Sequence, residues 1–146
     1  MAEQTGAELE ISAPPAVIMD TIADIDDYPQ WCPGVRTAQV LDRFPGGRPR
    51  EVEMVFDSGP IQDTHVYRYD SWADREVRWH LVKGETVRGL WGIYSCHTLE
   101  PRRTLVSYRL AMELTVPIIG ALRRRAEKVI VRTALKGLKE QIESGA

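Results

Sequence analysis

Cysteine is scarce in this chain. Among 146 residues only Cys32 and Cys96 carry a thiol. They lack C-x-x-C spacing and are too few for a disulfide framework. A reducing, cytoplasmic setting is therefore the expectation. Long apolar runs are missing as well: nothing approaches the ~20 residues of a membrane-spanning helix. Residues 1–6 show no basic patch leading into an apolar core, so no signal peptide is expected there. The motifs that announce many enzymes are also absent. There is no G-x-S-x-G, no glycine-rich phosphate loop after a strand and no H-E-x-x-H. No internal repeat or low-complexity tract breaks the chain, and its length suits one domain spanning residues 1–146.

Positive charge is absent from one end and concentrated at the other. Residues 1–30 hold seven acids and no Lys or Arg, while residues 118–143 hold seven bases against three acids. Such a stretch is either a solvated helix face or a surface for transient contact with an anionic partner such as lipid head groups. The whole-chain charge of −2 argues against a nucleic-acid module, so no nucleic acid is expected as a partner.

What the chain does contain is periodicity. Glu8–Ile11 alternates as a short strand. Ser12 or Ala13 is placed to cap a helix whose first turn takes the prolines and whose buried side is Ile18, Ile22 and Ile25. A second short helix runs through Trp31 and ends at Pro33-Gly34. From Val35 to Val116 the period becomes two, with breaks near 44–47, 58–60, 73–75, 84–85 and 101–103. Turns this short give consecutive antiparallel hairpins. Pro117 to Glu143 returns to helical spacing. Ile118, Leu122, Ala126, Ile130, Ala134, Leu138 and Ile142 form its apolar row, widened by Ile119, Val129 and Thr133. Arg123, Arg124, Lys128, Arg132, Lys136 and Lys139 lie opposite. Helices segregated from strands indicate an α+β fold. A sheet of six or seven strands cannot lie flat under one helix; it must curl around it, which leaves room for a hollow.

Several segments resemble a known family: Ile11-Ser-Ala-Pro14, Ile22-Ala-Asp24-Ile25, Tyr28-Pro29-x-Trp31-x-Pro33-Gly34-Val35 and Val40-Leu41, then Tyr69-Asp70, Trp79, Gly92-x-Tyr94, Tyr108, Pro117, Leu135 and Leu138-Lys139. This pattern is similar to the START-like superfamily of polyketide cyclases, dehydrases and lipid-transport proteins. It looks nearest the branch of coenzyme-Q-binding proteins and the ribosome-association toxin. The resemblance implies a helix-grip fold, in which a seven-stranded antiparallel sheet wraps a long C-terminal helix around an apolar cavity. It implies that Trp31 plugs one end of the sheet. It does not fix a function.

Chemistry-bearing residues are few. His65, His80 and His97 sit on different strands and do not converge as metal ligands must, so no metal site and no cofactor is expected. Cys96 and His97 are strand neighbours pointing to opposite faces, which rules out a nucleophile–base pair. Strand 62–71 leaves its orientation open. Either Asp63, His65, Tyr67 and Tyr69 face inward, or Thr64, Val66, Arg68 and Asp70 do. No catalytic residue is assigned. The expected ligand-binding wall is Met54, Phe56, His65, Tyr67, Trp79, Tyr94, Tyr108, Met112 and Ile130, with Leu81 and Leu110 beside them. It suits a small hydrophobic ligand such as a lipid, an isoprenoid quinone or a polyketide-like molecule. Three roles stay open: a carrier or sensor of that ligand; an aromatase/cyclase with His65, Tyr67 or Arg68 handling protons; and an interaction module docking on a partner such as a ribosome. A cyclase needs at least two convergent titratable groups, a carrier does not, and a docking module needs no cavity.

Overall fold

The computed structural model describes residues 4–57, 62–116 and 119–145. The expected start of the long helix at Pro117–Ile118 and the turn at 58–60 lie outside those residues. Strand β1 (Thr5–Ile11) leads into helix α1 (Pro15–Ala23), a 3-10 turn (Ile25–Asp27) and helix α2 (Tyr28–Trp31). Six strands follow: β2 (Val35–Arg43), β3 (Pro49–Asp57), β4 (Gln62–Tyr69), β5 (Glu76–Lys83), β6 (Val87–Glu100) and β7 (Arg103–Leu114). Helix α3 (Gly120–Gly145) comes last. The seven strands form one antiparallel sheet in the order β1-β7-β6-β5-β4-β3-β2. This is the helix-grip architecture that the resemblance implies.

Local chemistry accounts for most element boundaries. Helix α1 starts later than Ser12 or Ala13. Its N-cap is Pro14, held extended at φ −73° and ψ 157°, with no side-chain cap. Pro15 then occupies a first-turn position where a missing N–H costs nothing. In the β4–β5 pair a register shift between Val66 and Tyr67 displaces the ladder by one residue. Between that shift and the β4–β5 turn, His80 faces Arg68 on β4, and on its other side it faces Trp91 on β6. In a pleated strand such a shift decides which face a side chain takes.

Of the expected row the long helix buries Ala134 and Leu138, with Ile142 packed against the core, but not Leu122 or Ile130. Val131, Ala134, Leu135 and Leu138 are buried, and so is Glu127. Ile119, Leu122, Val129 and Ile130 are exposed at 67%, 48%, 57% and 38%. A row drawn in steps of four residues drifts about 40° per step around a 3.6-residue helix, so it cannot stay on one side. The lysines expected on the solvated face are partly recruited inward. Lys128 donates to the Gly6 carbonyl and Lys139 to the Glu10 carbonyl at 2.9 Å, both on the edge strand β1. Unpaired carbonyls of an edge strand invite other chains; here the helix occupies them. Glu143 accepts from the Ser12 N–H at 2.8 Å, tying down the far end.

The solid part of the core lies at that far end, where α1, α2 and α3 meet the sheet. Gly137, in the middle of α3, explains how close they come. A Cβ there would stand 2.1 Å from the Trp31 carbonyl oxygen. Glycine is unfavourable inside a helix by about 1 kcal/mol, and this contact is what it permits. Trp31 is buried against Tyr28, with ring centroids 4.6 Å apart.

Candidate functional site: a cavity between sheet and helix

Around the middle of α3, beneath Val129, Ile130, Thr133 and Ala134, a cavity of about 400 Å³ separates helix from sheet. Met54 and Phe56 of β3, His65, Tyr67 and Tyr69 of β4, and Trp79 of β5 form one wall. Tyr94 of β6 with Tyr108, Leu110 and Met112 of β7 form the next, and Val129, Ile130, Thr133 and Ala134 of α3 the roof. Tyr28, Cys32, Pro33 and Gly34 complete the lining. All nine expected wall residues therefore lie around one space. Leu81 does not: it is half-buried and absent from the wall. The period-two pattern found the strand residues because every second side chain of a curled strand points to the concave face.

An aromatic floor supports the cavity. Trp79 stands 5.3 Å from Tyr94 and 5.6 Å from Tyr108, which are 4.5 Å from each other, and Tyr69 stands 5.9 Å from Trp79. Tilted ring pairs at such spacings attract through their quadrupoles as well as by burial. Gly92 makes the floor possible. Directly opposite Trp79 in the β5–β6 ladder, any Cβ there would lie 2.2 Å from the indole.

Strand β4 settles its own ambiguity. His65, Tyr67 and Tyr69 point inward and are buried, while Arg68 points out and pairs with Glu51 at 2.9 Å. Arg68 is thereby removed from any role in the cavity. Sequence reasoning missed what stands behind His65. Asp63, two residues earlier on the same face, accepts from His65 Nε2 at 3.0 Å, and His65 Nδ1 meets the Tyr67 hydroxyl at 2.6 Å. Asp63 is itself fixed by three backbone N–H groups: Thr64 at 2.8 Å, Glu85 at 3.3 Å and Thr86 at 3.0 Å. Burial pushes its carboxyl upward, but the N–H donors and His65 outweigh that and hold it below the usual carboxylate value. Burial also depresses His65, opposed in part by Asp63, so the imidazole is neutral near pH 7. Burial lifts the Tyr67 phenol well above its ordinary value. An ionised carboxylate can only accept, so Nε2 carries the histidine's proton and Nδ1 accepts from Tyr67. The three side chains form a directed chain that ends at the cavity.

The rest of the wall is electrically neutral, since no Lys, Arg, Asp or Glu lines it. Burial pushes the Cys32 thiol up to about 12, so it stays protonated. His80 and His97 lie on other strands, away from His65. Among the described residues no group of three His, Cys, Asp or Glu could hold a metal. Nor is any helix among them long and apolar enough to cross a membrane.

A second residue that sequence reasoning passed over is Glu127. It is fully buried in α3, where it accepts from Thr5 Oγ1 at 2.6 Å and from the Met112 N–H at 2.8 Å, with Arg123 Nε at 3.9 Å. It joins β1, β7 and α3 beside the cavity.

Similar folds are known. A START superfamily protein from Mycobacterium smegmatis superposes with a TM-score of 0.92 at 20% identity, covering 98% of this chain and 99% of that one. A protein from Thermus thermophilus gives 0.81 at 23% identity, covering 99% of each chain. The Zhui aromatase/cyclase from Streptomyces sp. R1128 gives 0.77 at 14% identity, covering 100% of this chain and 99% of that one. At these identities the likeness is one of fold. No curated protein matches the sequence significantly. The sequence pattern of one family does match, over residues 11–139. It reaches the family as a whole and not the coenzyme-Q-binding branch within it. The chain belongs to the polyketide cyclase/dehydrase and lipid transport family.

Proposed function

We propose that the protein binds a small, uncharged hydrophobic ligand in the cavity between sheet and α3, and carries or senses it without transforming it. The observation that supports this most is the wall itself: about 400 Å³ bounded by aromatic, aliphatic and thioether groups, with no charged side chain. Burial of apolar ligand surface, worth about 25 cal/mol per Å² before ordering costs, would supply the affinity. Met54 and Met112 can adapt to more than one ligand shape. A space of this size also favours a ligand-binding role over a pure docking module. Extraction of the purified protein followed by mass spectrometry tests the proposal. A hydrophobic molecule released in stoichiometric amount supports it; failure to bind any apolar fluorescent probe overturns it.

The roof suggests where the ligand is exchanged. Leu122, Val129 and Ile130 are exposed and fall within an arc of about 100° on α3, and exposed Ile119 immediately precedes the helix. Val129 and Ile130 also line the cavity, and exposed Arg125, Arg132 and Lys136 flank the stripe. An apolar stripe with a cationic shoulder fits the surface of an anionic bilayer, where each base contributes about 1 kcal/mol. Flotation with phosphatidylglycerol-containing vesicles should recover the protein, and Leu122→Asp should abolish recovery. Equal recovery of the variant, or a stripe covered by a second copy in light scattering, would remove the membrane from the proposal.

The chain Asp63–His65–Tyr67 favours a second reading, an aromatase/cyclase in the same cavity, because two convergent titratable groups meet there. His65→Ala should then abolish turnover of a poly-β-ketone while probe binding survives; unchanged turnover eliminates His65 from the chemistry.

A further inference from the structure

A tyrosine hydroxyl has one proton to give. Where that proton goes decides what a ligand must offer. In Tyr28 it goes to the Ile22 carbonyl at 2.6 Å. In Tyr67 it goes to His65 Nδ1 at 2.6 Å, because the Asp63 carboxylate claims the only proton of the neutral imidazole. Asp63 cannot reverse this direction, since three backbone N–H groups already hold it as an acceptor. What Tyr67 Oη has left for the cavity is lone pairs. The hydroxyls of Tyr94 and Tyr108 are different: neither meets a hydrogen-bond partner among the described residues, so both can donate. Thr133 spends its proton on the Val129 carbonyl at 2.8 Å. The cavity thus has a built-in polarity, with an acceptor at Tyr67 and donors at the Tyr94–Tyr108 pair.

From this arrangement we infer that the ligand is a hydroxylated apolar molecule, an alcohol, phenol or enol, whose O–H points at Tyr67 Oη. The inference rests on the proposed ligand-binding role and narrows its chemical class. A ligand presenting only a carbonyl at that point would set two acceptors against each other and leave the ligand oxygen without a donor, which buried sites penalise. A carbonyl belongs at the other wall, against Tyr94 and Tyr108.

Titration calorimetry with four bicyclic probes tests this: naphthalene, 2-naphthol, 2-methoxynaphthalene and 2-acetonaphthone. The quantity read is how the affinity ratio of 2-naphthol to 2-methoxynaphthalene changes between proteins. Tyr67→Phe, which keeps the ring, should lower that ratio about tenfold while leaving naphthalene affinity unchanged. His65→Leu frees the Tyr67 proton, so it should shift preference from 2-naphthol toward 2-acetonaphthone. A residue serving only as packing would not produce that reversal. If the ratio is the same in wild type and Tyr67→Phe, the inference is wrong although the cavity still binds. If none of the four probes binds, the ligand-binding role fails and the inference fails with it. Should His65→Leu not fold, the Tyr67→Phe comparison decides alone.

Discussion

The two halves of α3 are built for different ends. From Val131 to Ile142 the helix is pressed against α1, α2 and the sheet, closely enough that Gly137 meets the Trp31 backbone. From Ile119 to Ile130 the same helix is tied to the sheet through Glu127 and Lys128. It leaves apolar side chains in solvent and a cavity of about 400 Å³ beneath. Stability is concentrated at one end, and the other end gives up close packing, which interiors otherwise maintain. Glu127 marks the boundary, hydrogen-bonded to β1 and β7 where the packing loosens.

The sharpest way to break this contrast is at Leu138, which is fully buried in the packed half. Leu138→Ala should cost about 3 kcal/mol in urea unfolding and leave probe affinity unchanged. Glu127→Ala comes next. It strands the Met112 N–H, the Thr5 hydroxyl and the Arg123 guanidinium and should cost about 2–3 kcal/mol. Met112→Ala, at the hollow end, should cost less, about 1–2 kcal/mol, because its side chain already borders a void and loses fewer contacts. Its effect should appear in binding instead, as a roughly tenfold loss of affinity for an apolar fluorescent probe. The smallest effect is one of pH. His65 in the fold resists protonation, while in the unfolded chain it titrates near 6.5. Stability from keeping it neutral is thus complete above that pH and declines as pH falls toward the lower folded value. His65→Leu should flatten that part of the stability–pH curve.

How far these features could be read from sequence depends on how each is encoded. The strands announce themselves because alternation is local: Val52 and Met54 alternate with Glu51 and Glu53 within one segment. Strand β4 does not, because both of its faces mix polar and aromatic residues. Only pairing with Glu51 on β3 sends Arg68 outward. A strict four-residue row finds Ala134 and Leu138 but loses the buried face at Leu122 and Ile130, because that row precesses around the axis; Val131 and Leu135 complete the buried side. The partners of Asp63 and the burial of Glu127 are hidden for another reason. An acid is read as surface unless its partners are known, and Thr5 lies 122 residues from Glu127.

The strand order carries a consequence for how the chain is made. Thr5 stands opposite Leu110, so β1 finds its place only after most of the sequence has been translated. Strands β2 to β7 can zip together in succession, each with the neighbour just synthesised. The first strand must wait for the last, carrying Leu9 and Ile11 unpaired meanwhile. A nascent chain stalled before β7 emerges would present that segment to chaperones or to other copies of itself.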